Sequence, residues 1–194
     1  MDTANFAMAG AVLLGGALTA SVQLINQRAN QRFQLEEAAA KYNRKRVDRE
    51  KREAIKRLAE AHKLLSKIAR DFSVTNLDIL WRSKMTDGEY DLRYLSACGE
   101  TDELRAFAAL HEPSLTDDIE KLHAQMNIFW GNFKNVLYQT TNGKKVDHMS
   151  SSLTNAHAAA NEIGSRVAFV KSRLTNLALK EQTNTVGNED ADLS

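Results

Sequence analysis

Val146–Gln182 reads VDHMSSSLTNAHAAANEIGSRVAFVKSRLTNLALKEQ. Its apolar positions, Val146, Met149, Leu153, Ala156, Ala160, Ile163, Val167, Val170, Leu174 and Leu177, advance in unbroken steps of three and four. That spacing puts every one of them on one face of a helix. A stripe of this length needs a matching surface to cover it, because an amphipathic helix gains its stability from packing rather than from propensity.

The matching surfaces lie upstream. Thr116–Thr140 carries Ile119, Leu122, Met126, Phe129, Phe133, Val136 or Leu137, and Thr140 at the same spacing, and Asn142-Gly143-Lys144-Lys145 between the two segments is a turn signal. Pro113, the only proline, stands before Thr116, so Ser114 or Thr116 is expected to cap this helix with Asp117, Asp118 and Glu120 in its first turn. Glu89–Ala97 and Asp102–His111 read as two short helices split by Gly99, with Tyr90, Leu92, Tyr94, Leu95, Leu104, Phe107 and Leu110 as their apolar residues. Met85-Thr86-Asp87-Gly88 marks another turn. Before it no glycine occurs back to Gly16, and Val47, Ala54, Leu58, Ala61, Leu65, Ile68, Phe72 and Ile79 form a further stripe. One helix is therefore expected to run as far as about Lys84, with Ser73-Val74-Thr75-Asn76 as its weakest point. Long helices joined by short turns fold back on each other. The expected fold is all-α, with an antiparallel three- or four-helix bundle over residues 47–182. The tail, 183–194, is polar, ends acidic, and is expected to be disordered.

The N-terminal stretch has a different character. Phe6–Val22, FAMAGAVLLGGALTASV, is 17 residues without a charge, and extension to Ile25 gives 20 interrupted only by Gln23. About 20 helical residues cross a hydrocarbon core of about 30 Å. A single transmembrane helix over 6–25 is expected, preceded by a short extracytoplasmic N-terminus, 1–5. The residues before it lack the basic character of an export signal, and the positive charge follows the apolar segment. An uncleaved anchor with the C-terminal part in the cytoplasm is therefore expected. Ala7, Ala11, Gly15 and Thr19 are spaced by four, which suits close packing of two membrane helices.

Residues 26–46 form an expected basic helical stalk. Arg28, Arg32, Lys41, Arg44, Lys45, Arg46 and Arg49 belong to a block, Arg28–Arg57, with 11 Lys/Arg against 5 Asp/Glu, a net of +6 in a chain whose total is only +1. Interleaved acids allow a solvated, internally paired face. Anionic headgroups are the next partner for such a block, and nucleic acid a weaker one, since only Phe33 and Tyr42 supply aromatics there.

Residues that could carry chemistry are few. The single cysteine, Cys98, excludes an internal disulfide. Glu120-Lys121-Leu122-His123 has the Glu-x-x-His spacing of di-metal bundles but no second copy, so both residues are expected at the surface. The five histidines show no i, i+4 pair, and no phosphate loop or nucleophile–base arrangement is present. No catalytic residue, metal, cofactor or small-molecule substrate is expected. Trp81 and Trp130 are the candidate partner surface, since tryptophan concentrates binding energy. The sequence thus implies a non-enzymatic, single-pass membrane protein whose helical bundle binds a protein partner or a second copy. A membrane-perturbing effector acting through associated spans and a tethered nucleic-acid binder are the alternatives.

Overall fold

In the computed structural model, residues 3–147 and 149–183 are described, the side chains of 3–22, 24 and 25 excepted. The described chain is all-helical, without strands. Five helices follow in order: α1 (Thr3–Asp71), α2 (Val74–Arg82), α3 (Asp87–His111), α4 (Thr116–Thr141) and α5 (Ser151–Thr183). The chain divides into two units, Met1–Arg52 and Glu53–Ser194.

The first unit is the N-terminal part of α1, and its described side chains are exposed apart from Lys51. The membrane span expected over 6–25 and the packing stripe Ala7, Ala11, Gly15 and Thr19 fall on residues whose side chains lie outside those described. Among the described residues no helix is long and apolar enough to cross a membrane. The expected acidic tail beyond Thr183 likewise lies outside them.

The second unit is a helical bundle with one continuous core. Asp118 pairs with Arg173 and Asn135 Nδ2 donates to Ser152 Oγ (2.8 Å), so α4 and α5 run in opposite directions. Arg105 pairs with Glu120 and Lys134 with Asp91, which sets α3 antiparallel to α4. The C-terminal part of α1 joins through Lys171 Nζ, which donates to Ser66 Oγ (3.0 Å), and through Phe72, whose ring meets Phe129 edge-on at 5.2 Å. The α4 stripe is buried throughout from Ile119 to Leu137, with Val136 and Leu137 both inside. On α5 the buried apolar residues run from Leu153 to Leu174, small (Ala156, Ala159, Ala160) in the first half and branched (Ile163, Val167, Val170) in the second.

Several local expectations are corrected. Glu89–Ala97 and Asp102–His111 are one helix: Gly99 lies on its open side, where an added Cβ would touch nothing, and Ala97, Thr101 and Leu104 pin the inner face across it. The roughly 1 kcal/mol that a helical glycine costs is small beside that burial. Neither Ser114 nor Thr116 caps α4. A 3-10 turn, Pro113–Leu115, leads into it, and Leu115 holds the cap position without a side-chain bond. Leu115 is wholly buried, and burying a leucine outweighs a cap worth about 1 kcal/mol. Helix α5 starts at Ser151 rather than Val146, because Asp147 Oδ1 accepts the Met149 N–H (3.0 Å), a local turn that competes with helix. Met149 is consequently 79% exposed. The chain does break where the sequence is weakest, between Asp71 and Val74, and Ser73 Oγ caps α2 by accepting the Asn76 N–H (3.1 Å). Two non-helical residues shift the helical register, so Leu77 and Leu80 point inward and Ile79, expected in the core, is exposed. Val47 is also exposed.

Candidate functional site

The basic block lies on α1. Arg28, Arg32, Lys41, Arg44, Lys45, Arg46 and Arg49 are all exposed. At about 100° per residue they are spread around the helix rather than gathered in one stripe. Acids between them take part of the charge: Arg46 reaches Glu50 at 3.8 Å and Lys56 reaches Glu60 at 3.9 Å, both at i, i+4. Arg52 Nε donates to the Asp48 carbonyl (3.1 Å). Exposed pairs of this kind contribute only about 0.3–0.5 kcal/mol each. The face is positively charged, solvated and one-helix wide, suited to diffuse attraction of anions rather than to shape-specific recognition.

Both tryptophans are half-buried and tied into the bundle. Trp81 Nε1 donates to Thr140 Oγ1 (3.0 Å), joining α2 to α4. Trp130 on α4 sits in a cluster with α3. Its Nε1 donates to Asp91 Oδ1 (3.0 Å), its ring stacks on Tyr94 at 4.9 Å, and Lys134 Nζ lies 5.1 Å from its ring centroid while donating to Asp91 Oδ2 (2.6 Å). The hydrogen bond from Lys134, helped by that from Trp130, holds the Asp91 carboxyl below the usual carboxylate range. Trp130 therefore acts as a tie between helices, and its face toward Tyr94 is occupied. Its partners stand 36 and 39 positions away, a relation that spacing along the chain does not display.

Glu120 and His123 converge on one guanidinium. Arg105 Nε and Nη2 donate to the two Glu120 oxygens (2.7 and 2.8 Å), its Nη1 donates to Asp102 (2.9 Å), and its Nη2 lies 2.8 Å from His123 Nδ1. The Arg105 bonds push the Glu120 carboxyl down, while burial, seconded by Arg105, lowers the His123 pKa. A fixed cation at the centre of this group is the reverse of what a metal site needs. Among the described residues no cluster of three or more His, Cys, Asp or Glu is arranged to hold a metal.

What sequence reasoning missed is the outward face of α3. Leu92, Leu95 and Leu110 are 70%, 63% and 76% exposed, in line with the bare Gly99 and with Ala106. Asp102 and Glu103 share this face, and Arg93 adjoins it. The signal was present as two helical periods in one segment: Tyr90, Ala97, Thr101, Leu104 and Ala108 for the core, and the leucines for the other side. Comparison with known protein families, with curated proteins and with solved structures finds no match to this chain.

Proposed function

We propose that this chain is a non-enzymatic, membrane-anchored helical-bundle protein that binds a protein partner, or a second copy of itself, at the cytoplasmic face of the membrane. The observation that carries the reading is the pairing of two surfaces: a charge-free Phe6–Val22 followed at once by a basic helix, and a bundle with exposed leucines on α3. The first is the composition of a span with its positive side inward. The second is the kind of apolar surface that marks protein association. The bundle's interhelical charges are largely consumed in ion pairs that tie its helices together, in keeping with a binding scaffold.

Two experiments test this. Carbonate extraction and protease treatment of spheroplasts, with a C-terminal tag, should leave the tag in the membrane fraction and protected. A photo-crosslinker at Leu95 should trap a discrete adduct in cells, and one at Lys121, on the exposed side of α4, should not. A soluble or digested tag refutes the anchor, and an unmodified monomer from Leu95 refutes the interaction surface.

A further inference from the structure

The exposed leucines of α3 border a groove. Leu92, Leu95, Gly99, Ala106 and Leu110 follow one another at helical spacing along a strip about 27 Å long. Beside its C-terminal half, between α1 and α3, lies a groove of about 250 Å³. Buried Ala61 and half-buried Leu64 and Phe107 line it, and so do Ala106 and Leu110, which belong to the strip as well. Strip and groove are therefore one surface. A cavity of about 150 Å³ is known to hold benzene, so the groove has room for one leucine or phenylalanine side chain. Gly99 leaves the middle of the strip open, since a Cβ there would meet nothing in the chain.

The charge of this surface is one-sided. From Asp87 to His111, Asp87, Glu89, Asp91, Glu100, Asp102 and Glu103 stand against Arg93 and Arg105, a net of −4 with histidine neutral. Arg105 is shared by Asp102 and Glu120, so that group stays negative. Asp102 and Glu103 are exposed at the middle of the strip, and Glu103 forms no ion pair among the described residues. In the groove, Glu60 and Glu103 stand against Arg57.

These features select the occupant. Among the described residues there is no strand, so an extended peptide has no sheet edge to join. A strip of helical period takes a helix with apolar anchors at i, i+3 or i+4 and i+7. Acids at mid-strip call for lysine or arginine in the partner. They also disfavour a second α3, because two strips face to face would bring four carboxylates together at their centres. An anionic lipid surface repels the same acids.

We propose that α3 and the α1–α3 groove dock a basic amphipathic helix of another protein. Its apolar side chains cover Leu92, Leu95 and Leu110, one of them fills the groove, and its lysines or arginines lie level with Asp102 and Glu103. The inference rests on the interaction-surface reading of α3 and is independent of the membrane tether.

The test is surface plasmon resonance on the full chain, captured by a C-terminal tag in dodecyl maltoside and corrected with a detergent-only surface. The probe is a helical peptide of about 18 residues, matched to the strip, with leucine at i, i+3 and i+7 and lysine on its other face. Its counterpart carries glutamate in place of lysine. Saturable one-to-one binding of the lysine peptide is expected, with the glutamate peptide about tenfold weaker or worse. Leu95→Lys should weaken the lysine peptide by about tenfold or more, as loss of a central anchor does. Glu103→Lys should reverse the preference between the two peptides. Leu92→Ser replaces Leu95→Lys if the latter does not fold. No saturable binding, equal affinity for the two peptides, or undiminished affinity in a folded variant overturns the proposal. So does self-association of the chain on sedimentation that Leu95→Lys abolishes, which places a second copy on this face. A Leu95 cross-link in cells without peptide binding refutes the basic helix and leaves the interaction surface standing, whereas absence of the cross-link refutes the surface itself.

Discussion

Phe129 is the residue through which the packing of the α1–α2 connection against α4 is most directly tested. It is 1% exposed, meets Phe72 edge-on at 5.2 Å with an interplanar angle of 72°, and lies 5.9 Å from Phe133. Phe129→Ala removes a whole ring from the core, which costs about 3–5 kcal/mol, with the edge-on pair accounting for about 0.5–1.5 kcal/mol beyond area burial. The lower end of that range, about 3 kcal/mol, is expected where the surrounding side chains partly collapse into the space. At an m-value of about 2 kcal/mol/M this lowers the urea midpoint by roughly 1.5 M. Tryptophan emission is the right assay, because Trp81 and Trp130 are the chain's only two tryptophans and both lie in the unit from Glu53 onward. The signal then follows the bundle without interference from Met1–Arg52. A double-mutant cycle of Phe72→Leu with Phe129→Leu isolates the pair and should return a coupling of about 1 kcal/mol. A loss below about 1 kcal/mol in Phe129→Ala at unchanged m, with no coupling in the cycle, refutes the packing of the α1–α2 connection on α4.

Three other outcomes are expected. Tyr90→Phe should leave stability unchanged or raise it by up to about 1 kcal/mol, since the hydroxyl has no partner to lose among the described residues; a marked loss in the urea midpoint shows that it has one. Ser73→Ala and Thr86→Ala should each cost about 1 kcal/mol, because Ser73 caps α2 and Thr86 forms a reciprocal capping box with Glu89 at the start of α3; thermal melts in which both variants match the parent exclude these caps. Acidification from pH 7.5 toward 5.5 should lower the melting temperature. Burial depresses His62, seconded by Lys171, and His123, seconded by Arg105, so the unfolded chain binds more protons in that window and folding loses stability as pH falls below the ordinary histidine value. The His62→Asn, His123→Gln double variant should flatten that slope, and a slope as steep as the parent's removes these histidines as its cause.

The helix content was legible because period is a local property. Ile119 to Leu137 on α4 and Leu153 to Leu174 on α5 can be placed on one face by counting alone, and both faces are buried. Ser73-Val74-Thr75-Asn76 was legible only as the weakest point of a helix expected to run on to about Lys84; that the chain breaks there and Ser73 caps a new helix was not. What failed was local chemistry overridden by packing, or the reverse. Gly99 reads as a breaker, yet the burial of residues on both sides carries the helix through it. Met149 fits the α5 stripe, yet the Asp147 turn keeps it out of the helix. Ile79 fits the α1 stripe only if the helix is continuous, and two residues of interruption rotate it outward. The α3 leucines were read simply as apolar, because a helix with two apolar faces has no unique inner side until its neighbours are known.

The polar groups follow the same logic. Arg105 with Glu120, Asp91 with Lys134 and Arg173 with Asp118 each join two helices, and each fixes the register at which the stripes meet. Such partly exposed pairs add little stability, so their value lies in excluding other registers of helices whose apolar stripes are nearly featureless. That explains why residues resembling a metal ligand set, Glu120 and His123, are instead gathered around an arginine. It also separates these groups from Tyr90 and Glu100. A polar side chain that serves register has its partner within the fold, whereas among the described residues the Tyr90 hydroxyl and one Glu100 oxygen are buried with none.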